Sequence, residues 1–284
     1  MSIVVTGATG HLGRHVVEQL LEKVPADQIT AVVRNAEKAA DFADRGVKIA
    51  LADYSVPASF DGLFSAGDKV LLISGSEIGN DRVGQHKVVI NAAKAAGVAL
   101  LAYTSVIESM TASLADDHRG TEEALLASGL PYVLLRNGWY HENYTENLAP
   151  VLQYNAVTQA AGEGRVSSAS RADYAAAAVA VLTGEGHENK AYELGGDEAW
   201  NFAEFAAELS RQTGKEIGYN SVSVEAYTGI LTGAGLPEPL AASLAGVDAT
   251  IEKGELVVTS GDLSRLIGRP TSPIADAIAT ALKG

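Results

Sequence analysis

With 284 residues, the chain can bury a substantial core as one large α/β domain or as a nucleotide domain with a smaller lobe. It contains no cysteine, which excludes disulfides, thiolate metal sites and a cysteine nucleophile and fits a reducing cytoplasm. A formal charge of −14, with no run of basic residues, argues against nucleic acid and anionic membrane surfaces as partners.

The chain moves directly into Ile3-Val4-Val5-Thr6, a predicted buried strand, with no basic leader before it. No apolar run approaches the roughly 20 residues that span a bilayer, so a cytoplasmic protein without membrane insertion is expected. Gly7-Ala8-Thr9-Gly10-His11-Leu12-Gly13 follows. Its first glycine permits a tight strand-to-helix turn, the second lets backbone approach a pyrophosphate, and the third lets the next helix pack closely. Phosphate oxygens would then meet N–H groups at the positive end of a helix. An apolar stripe at Val16, Val17, Leu20 and Leu21 and a β-rich run over 29–33 complete a β-α-β unit.

Further strands are predicted over 47–51, 70–73, 98–103 and 132–135, alternating with helices that stop at Gly97 and Gly129. This alternation implies a Rossmann-type, doubly wound parallel sheet covered on both faces. After Arg136 the rhythm changes. Helices are expected over 143–154, 172–182 and 201–213, with a strand over 216–222 and short helices bounded by prolines beyond it. The expected division is a dinucleotide-binding domain over 1–135, with segments of 136–200 partly returning to it. A smaller α/β substrate lobe over 201–284 completes it.

Ligands of open α/β sheets bind beyond the carboxyl ends of strands, which selects the residues that follow each strand. Arg34 ends the second strand about 20 residues past the glycine turn, where NAD sites commonly place an acid. A guanidinium there can pair with a 2′-phosphate, so NADP(H) is expected to be preferred and NAD(H) tolerated. Asp53 could accept from the adenine amino group or simply form a turn. Ser74-Gly75-Ser76 offers close backbone approach and small donors beside the cofactor.

These motifs together resemble the NmrA-like branch of atypical short-chain dehydrogenases/reductases, which includes quinone-reducing and triphenylmethane-dye-reducing members. The resemblance runs over nearly the whole chain, through Val5 to Gly10, Ala31 to Asn35, Val89 to Val98 and Ala102 to Ser105. It continues through Leu134 to Tyr140, the most specific segment, then Ser170 to Tyr174, Gly186 to Glu188 and Leu266 to Gly268. It implies hydride transfer from reduced nicotinamide to quinones or similar conjugated acceptors. It also implies that Gly7, Ala8, Thr9, Gly10, His11, Leu12 and Arg34 hold the cofactor, with Asn137 to Tyr140 lying between cofactor and substrate. The branch also contains regulators that bind dinucleotide without turnover, so a non-catalytic NADP(H) sensor acting through a protein partner is the alternative.

No tyrosine has a lysine four residues later, which argues against the Tyr-x-x-x-Lys chemistry of alcohol dehydrogenases and epimerases. Quinone reduction needs that pair less, because the acceptor is already electrophilic and its oxygen can take a proton from water. The expected work of the protein is positioning, without flavin or metal. Trp139 and Tyr144 can stack on an acceptor, and the Tyr140 hydroxyl can hydrogen-bond its oxygen as the catalytic candidate. Thr104 is a candidate substrate-binding hydroxyl. His118 and His141 are read as solvated loop residues rather than essential proton donors. The six histidines are scattered and no Gly-x-Ser-x-Gly motif occurs, so neither a metal site nor a hydrolase is expected. The partner expected is a small quinone-like or dye-like acceptor, and the sequence leaves room for a homo-oligomer.

Overall fold

The computed structural model describes residues 2–75, 81–108, 111 and 115–283. The chain forms two compact units that interleave along the sequence. The first comprises Met1–Val106, Asp117–Asn137 and Arg171–Tyr192; the second comprises Ile107–Asp116, Gly138–Ser170 and Glu193–Gly284.

In chain order the elements begin with β1 (Ile3–Thr6), α1 (His11–Leu21), β2 (Ile29–Val33), α2 (Ala40–Asp44) and β3 (Lys48–Leu51). There follow β4 (Lys69–Leu72), α3 (Arg82–Ala96), β5 (Leu100–Val106), α4 (Asp116–Ser128) and β6 (Tyr132–Asn137). Next come α5 (Glu142–Thr145), α6 (Ala149–Tyr154), β7 (Ala156–Gln159), α7 (Arg171–Thr183) and β8 (Lys190–Leu194). The chain ends with α8 (Phe202–Thr213), β9 (Gly218–Ser221), α9 (Val224–Gly233), α10 (Glu238–Glu252), α11 (Asp262–Ile267) and α12 (Ile274–Ala281).

A seven-stranded sheet runs in the order β3-β2-β1-β4-β5-β6-β8. The pairings from β3 through β6 are parallel, with Val5 opposite Ala31 on one side and Leu71 on the other. This is the doubly wound Rossmann arrangement, and the strand order reverses between β1 and β4. On one face α1 and α7 pack together, and α7 lies on β4, β5 and β6. Ala175, Ala177 and Ala178 of α7 are buried, their small side chains allowing a close approach to the sheet. On the other face α3 buries Val89, Ile90 and Ala93 among Val4, Val70, Leu72, Leu101, Tyr103 and Leu134. α3 is bounded by Asp81, whose carboxylate accepts from the Gly84 amide, and by Gly97 at φ +68°.

The second unit contains the parallel pair β7-β9 and α8. Asn201 and Glu204 form a reciprocal capping box at the start of α8, and Phe202, Phe205 and Leu209 are buried along it. The helix expected over 143–154 is instead two short ones, α5 and α6, with Pro150 near the start of the second. The strand expected over 216–222 narrows to Gly218–Ser221. No helix among the described residues is long and apolar enough to cross a membrane.

Candidate functional site

The sheet reverses order between β1 and β4, and the residues beyond those two strands meet there. Gly7 leaves β1 at φ +62°, a conformation that favours glycine. A Cβ on Gly7 would sit 3.5 Å from the Ile73 Cβ, so the turn after β1 and the turn after β4 are in van der Waals reach. A Cβ on Gly13 would lie 2.2 Å from the Gly7 carbonyl oxygen and 2.8 Å from the Ala8 Cα, distances that only glycine escapes. The N-cap of α1 is Gly10, which offers no side chain to the amides of the first turn. Gly7, Gly10 and His11 are exposed, whereas Ala8 and Leu12 are buried and can face a ligand only through backbone.

Arg34 lies exposed just past β2. Its charge acts on Asp53, the residue that follows Ala52 after β3. Hydrogen bonds from the Ser55 hydroxyl and amide hold the Asp53 carboxyl below its ordinary range, and Arg34 adds to the effect. Asp53 therefore forms the turn that its residue type permits. Nearby, Arg14 makes a two-pronged pair with Asp41 at 2.8 and 3.1 Å and donates to the Lys38 carbonyl.

The segment beyond β4 is held by side chains at every turn of its backbone. The Ile73 amide donates to the Thr6 hydroxyl at 3.2 Å, and the Ile73 carbonyl accepts from the Tyr54 hydroxyl at 2.8 Å. The Ser74 amide donates to the Thr104 hydroxyl at 2.9 Å, and the Gly75 amide to the His86 Nε2 at 3.0 Å. Thr104, expected as a substrate-binding hydroxyl, meets this segment from β5. It lies inside β5, 3% exposed, with its hydroxyl committed to Ser74. Ser76 lies outside the described residues.

Asn137 closes β6, buried, with an Oδ1 that has no hydrogen-bond partner among the described residues. His118, read as solvated, is instead buried, with Nδ1 2.9 Å from the Tyr103 hydroxyl and Nε2 3.3 Å from Arg82. Burial is the main cause that lowers its pKa to about 3, and the same cause lowers His86 to about 4. Sequence reasoning missed Tyr54, His86 and Thr121, whose roles depend on partners up to 48 positions away.

In the second unit, Trp139 and Tyr140 run beside Ala169: the Ala169 amide donates to the Trp139 carbonyl, and Tyr140 bridges to Ala169. His141 is buried rather than solvated, 2.8 Å from the Ser168 hydroxyl and donating from Nε2 to the Ser272 carbonyl. Tyr144 stacks edge-on against Trp200 and Phe202, with ring centroids 5.1 and 5.3 Å away. Its hydroxyl is buried without a hydrogen-bond partner among the described residues. Asp248, also missed, is buried and accepts from the Ala160 amide at 2.7 Å. Burial raises its pKa to about 7.

Residues 7–185 match a family model described as NAD(P)H-binding. The chain belongs to this NAD(P)H-binding family. It is 47% identical over 278 residues to quinone oxidoreductase 2 of Escherichia coli (strain K12), covering 97% of each chain. Among solved structures it is similar to the E. coli NADPH-dependent quinone oxidoreductase QOR2 complexed with NADPH, with a TM-score of 0.95, 46% identity and 99% of each chain covered. It is also similar to Citrobacter sp. triphenylmethane reductase complexed with NADP(H), with a TM-score of 0.92, 41% identity, and 99% and 100% of the two chains covered. The chain is an NAD(P)H-dependent oxidoreductase.

Proposed function

We propose that the protein is an NADPH-dependent reductase that delivers hydride to quinones or similar conjugated electrophiles, triphenylmethane dyes among them. The observation that carries this is the reversal of strand order between β1 and β4, with a glycine-only turn after β1 and an exposed arginine after β2. Three features of the chain fit a dinucleotide. Gly13 keeps α1 against the turn, Gly10 leaves the first helical turn without a side-chain cap, and the Asn137 Oδ1 is a buried acceptor with no donor among the described residues. The named quinone and dye reductases favour this reading over the non-catalytic sensor.

In this reading Gly7 to Leu12 receive the pyrophosphate, and Arg34 pairs with the 2′-phosphate. Asp53 lies at the adenine end, while Ser74, Gly75 and Asn137 border the nicotinamide end. Thr104 acts by fixing Ser74. A reduced nicotinamide supplies a hydride, which direct transfer uses without a flavin. A quinone that gains this hydride needs one more proton to become the hydroquinone, and water can provide it. Trp139 and Tyr144 offer flat faces to the acceptor, and the Tyr140 hydroxyl hydrogen-bonds the oxygen on which charge develops.

The test is loss of reduced-nicotinamide absorbance with a simple quinone, run with NADPH and NADH and corrected for uncatalysed reaction. Protein-dependent loss that favours NADPH is expected. Tight NADPH binding with no turnover across quinones and triphenylmethane dyes would overturn the reductase reading.

A further inference from the structure

We infer that His86 is a positioning residue that fixes the backbone of the Ser74-Gly75 turn against the nicotinamide cofactor. The inference rests on the proposed site, and its support lies in a hydrogen-bond chain with only one consistent direction. The Thr121 hydroxyl donates to the Asp117 carbonyl at 2.8 Å, so toward His86 it can only accept. His86 Nδ1, 2.9 Å away, must carry the proton. Nε2 is left as an acceptor, which is what the Gly75 amide requires. The ring is neutral and its tautomer is dictated from α4, through α3, to the turn.

The ring is also held in place. It is fully buried, edge-on to Tyr54 with centroids 6.0 Å apart and to Tyr103 at 5.4 Å. Those neighbours are not passive. The Tyr54 hydroxyl takes the Ile73 carbonyl, and Tyr103 extends the polar chain through His118 to Arg82, which lies 3.7 Å from Asp117. A partly exposed strand-to-loop turn can satisfy its backbone with water, and does not need four separate side chains on the Ile73 amide and carbonyl and the Ser74 and Gly75 amides for stability alone. It does need them if its backbone must hold one shape at the edge of a ligand cleft, where a displacement of about 1 Å can cost about a hundredfold in rate. His86 is the member of this set that meets the turn at its last described residue.

The experiment uses the full chain with His86→Leu, which removes the acceptor, and His86→Gln, which keeps an amide oxygen able to accept. NADPH dissociation constants, the separate kcat and KM values for quinone, and the amide proton shift of Gly75 without cofactor are measured. His86→Leu is expected to weaken NADPH by about three- to tenfold, the effect of one lost hydrogen bond, with quinone KM unchanged. The Gly75 amide proton should move upfield in His86→Leu, and His86→Gln should recover most of both effects. Equal NADPH affinity in wild type and His86→Leu, or a Gln variant as impaired as Leu with an unmoved Gly75 resonance, would overturn the role. Wild-type protein that binds no NADPH would instead sink the reading of the site itself.

Discussion

Arg34 and Tyr140 divide the proposed work at the scale of single residues: one selects the cofactor, the other serves the acceptor. Arg34 is exposed just past the carboxyl end of β2, where a 2′-phosphate would sit in the proposed site. Arg34→Asp places a carboxylate there, and NADPH should weaken by about ten- to a hundredfold while NADH changes little. Equal losses for both cofactors in a binding titration would remove the 2′-phosphate assignment. Tyr140→Phe deletes only a hydroxyl, so turnover with quinone should fall about tenfold at unchanged NADPH affinity. A change confined to cofactor binding would place Tyr140 elsewhere in the reaction. The glycine turn after β1 and the place of Arg34 after β2 could be read from the sequence because they are local, carried by spacing and by the apolar run before them. His86 and Tyr54 could not, because each acts on backbone brought to it by the sheet, nor could Thr121, whose partner is the ring of His86 on another helix. An isolated histidine in an alternating sequence carries no mark of the turn it will hold.

Elements differ in how openly they declare themselves. β1, β2, β4, β5 and β6 appear as compact apolar runs because both faces of that part of the sheet are covered, while β3 at the edge has no buried residue; each of the six lies within a few residues of its expected place. β8 escaped notice because Lys190 and Ala191 are exposed, and β7 because Ala156-Val157-Thr158-Gln159 is short and only Val157 is buried. The break between α5 and α6 lies just before Pro150, a residue that suits the first turn of a helix and so starts α6. At α1 the sequence and the packing agree fully: a methyl at Gly13 would collide with backbone atoms that cannot yield. Gly13→Ala should therefore push α1 off β1, with a measurable drop in melting temperature and NADPH binding reduced at least tenfold. Unchanged binding in a stable variant would mean that the turn adapts. In the second unit the capping box of α8 is an independent device, and Asn201→Ala should cost about 1 kcal/mol, a fall of roughly 2–4 °C in the thermal midpoint.

Across the whole molecule, three buried titratable groups shape the response to pH, and they oppose each other. His86 and His118 stay neutral in the first unit, with pKa values lowered to about 4 and about 3 by burial, then by nearby Arg82. An unfolded chain would bind protons at both below the ordinary value of 6.5. Stability should thus be fully present above that value and decline as pH falls toward the folded values. Asp248, in the second unit, works the other way. Its folded pKa is raised to about 7 from 3.8, so the folded form keeps a proton that the unfolded chain has released, and stability declines as pH rises through that window. Between about pH 4 and 6.5 the two histidine protons outweigh the one aspartate proton, so these three groups together favour higher pH. Near pH 7 the terms balance and the profile levels off. Asp248→Asn keeps an oxygen for the Ala160 amide but removes the titration. The variant should match wild type near pH 4 and exceed it at pH 8 by on the order of a few kcal/mol, seen as a higher thermal midpoint. If calorimetry resolves two transitions, only that of the second unit should move, because the histidines lie in the first. Superimposable pH profiles for wild type and Asp248→Asn would show that Asp248 is ionised in the fold at neutral pH, and the burial argument for that carboxyl would fail.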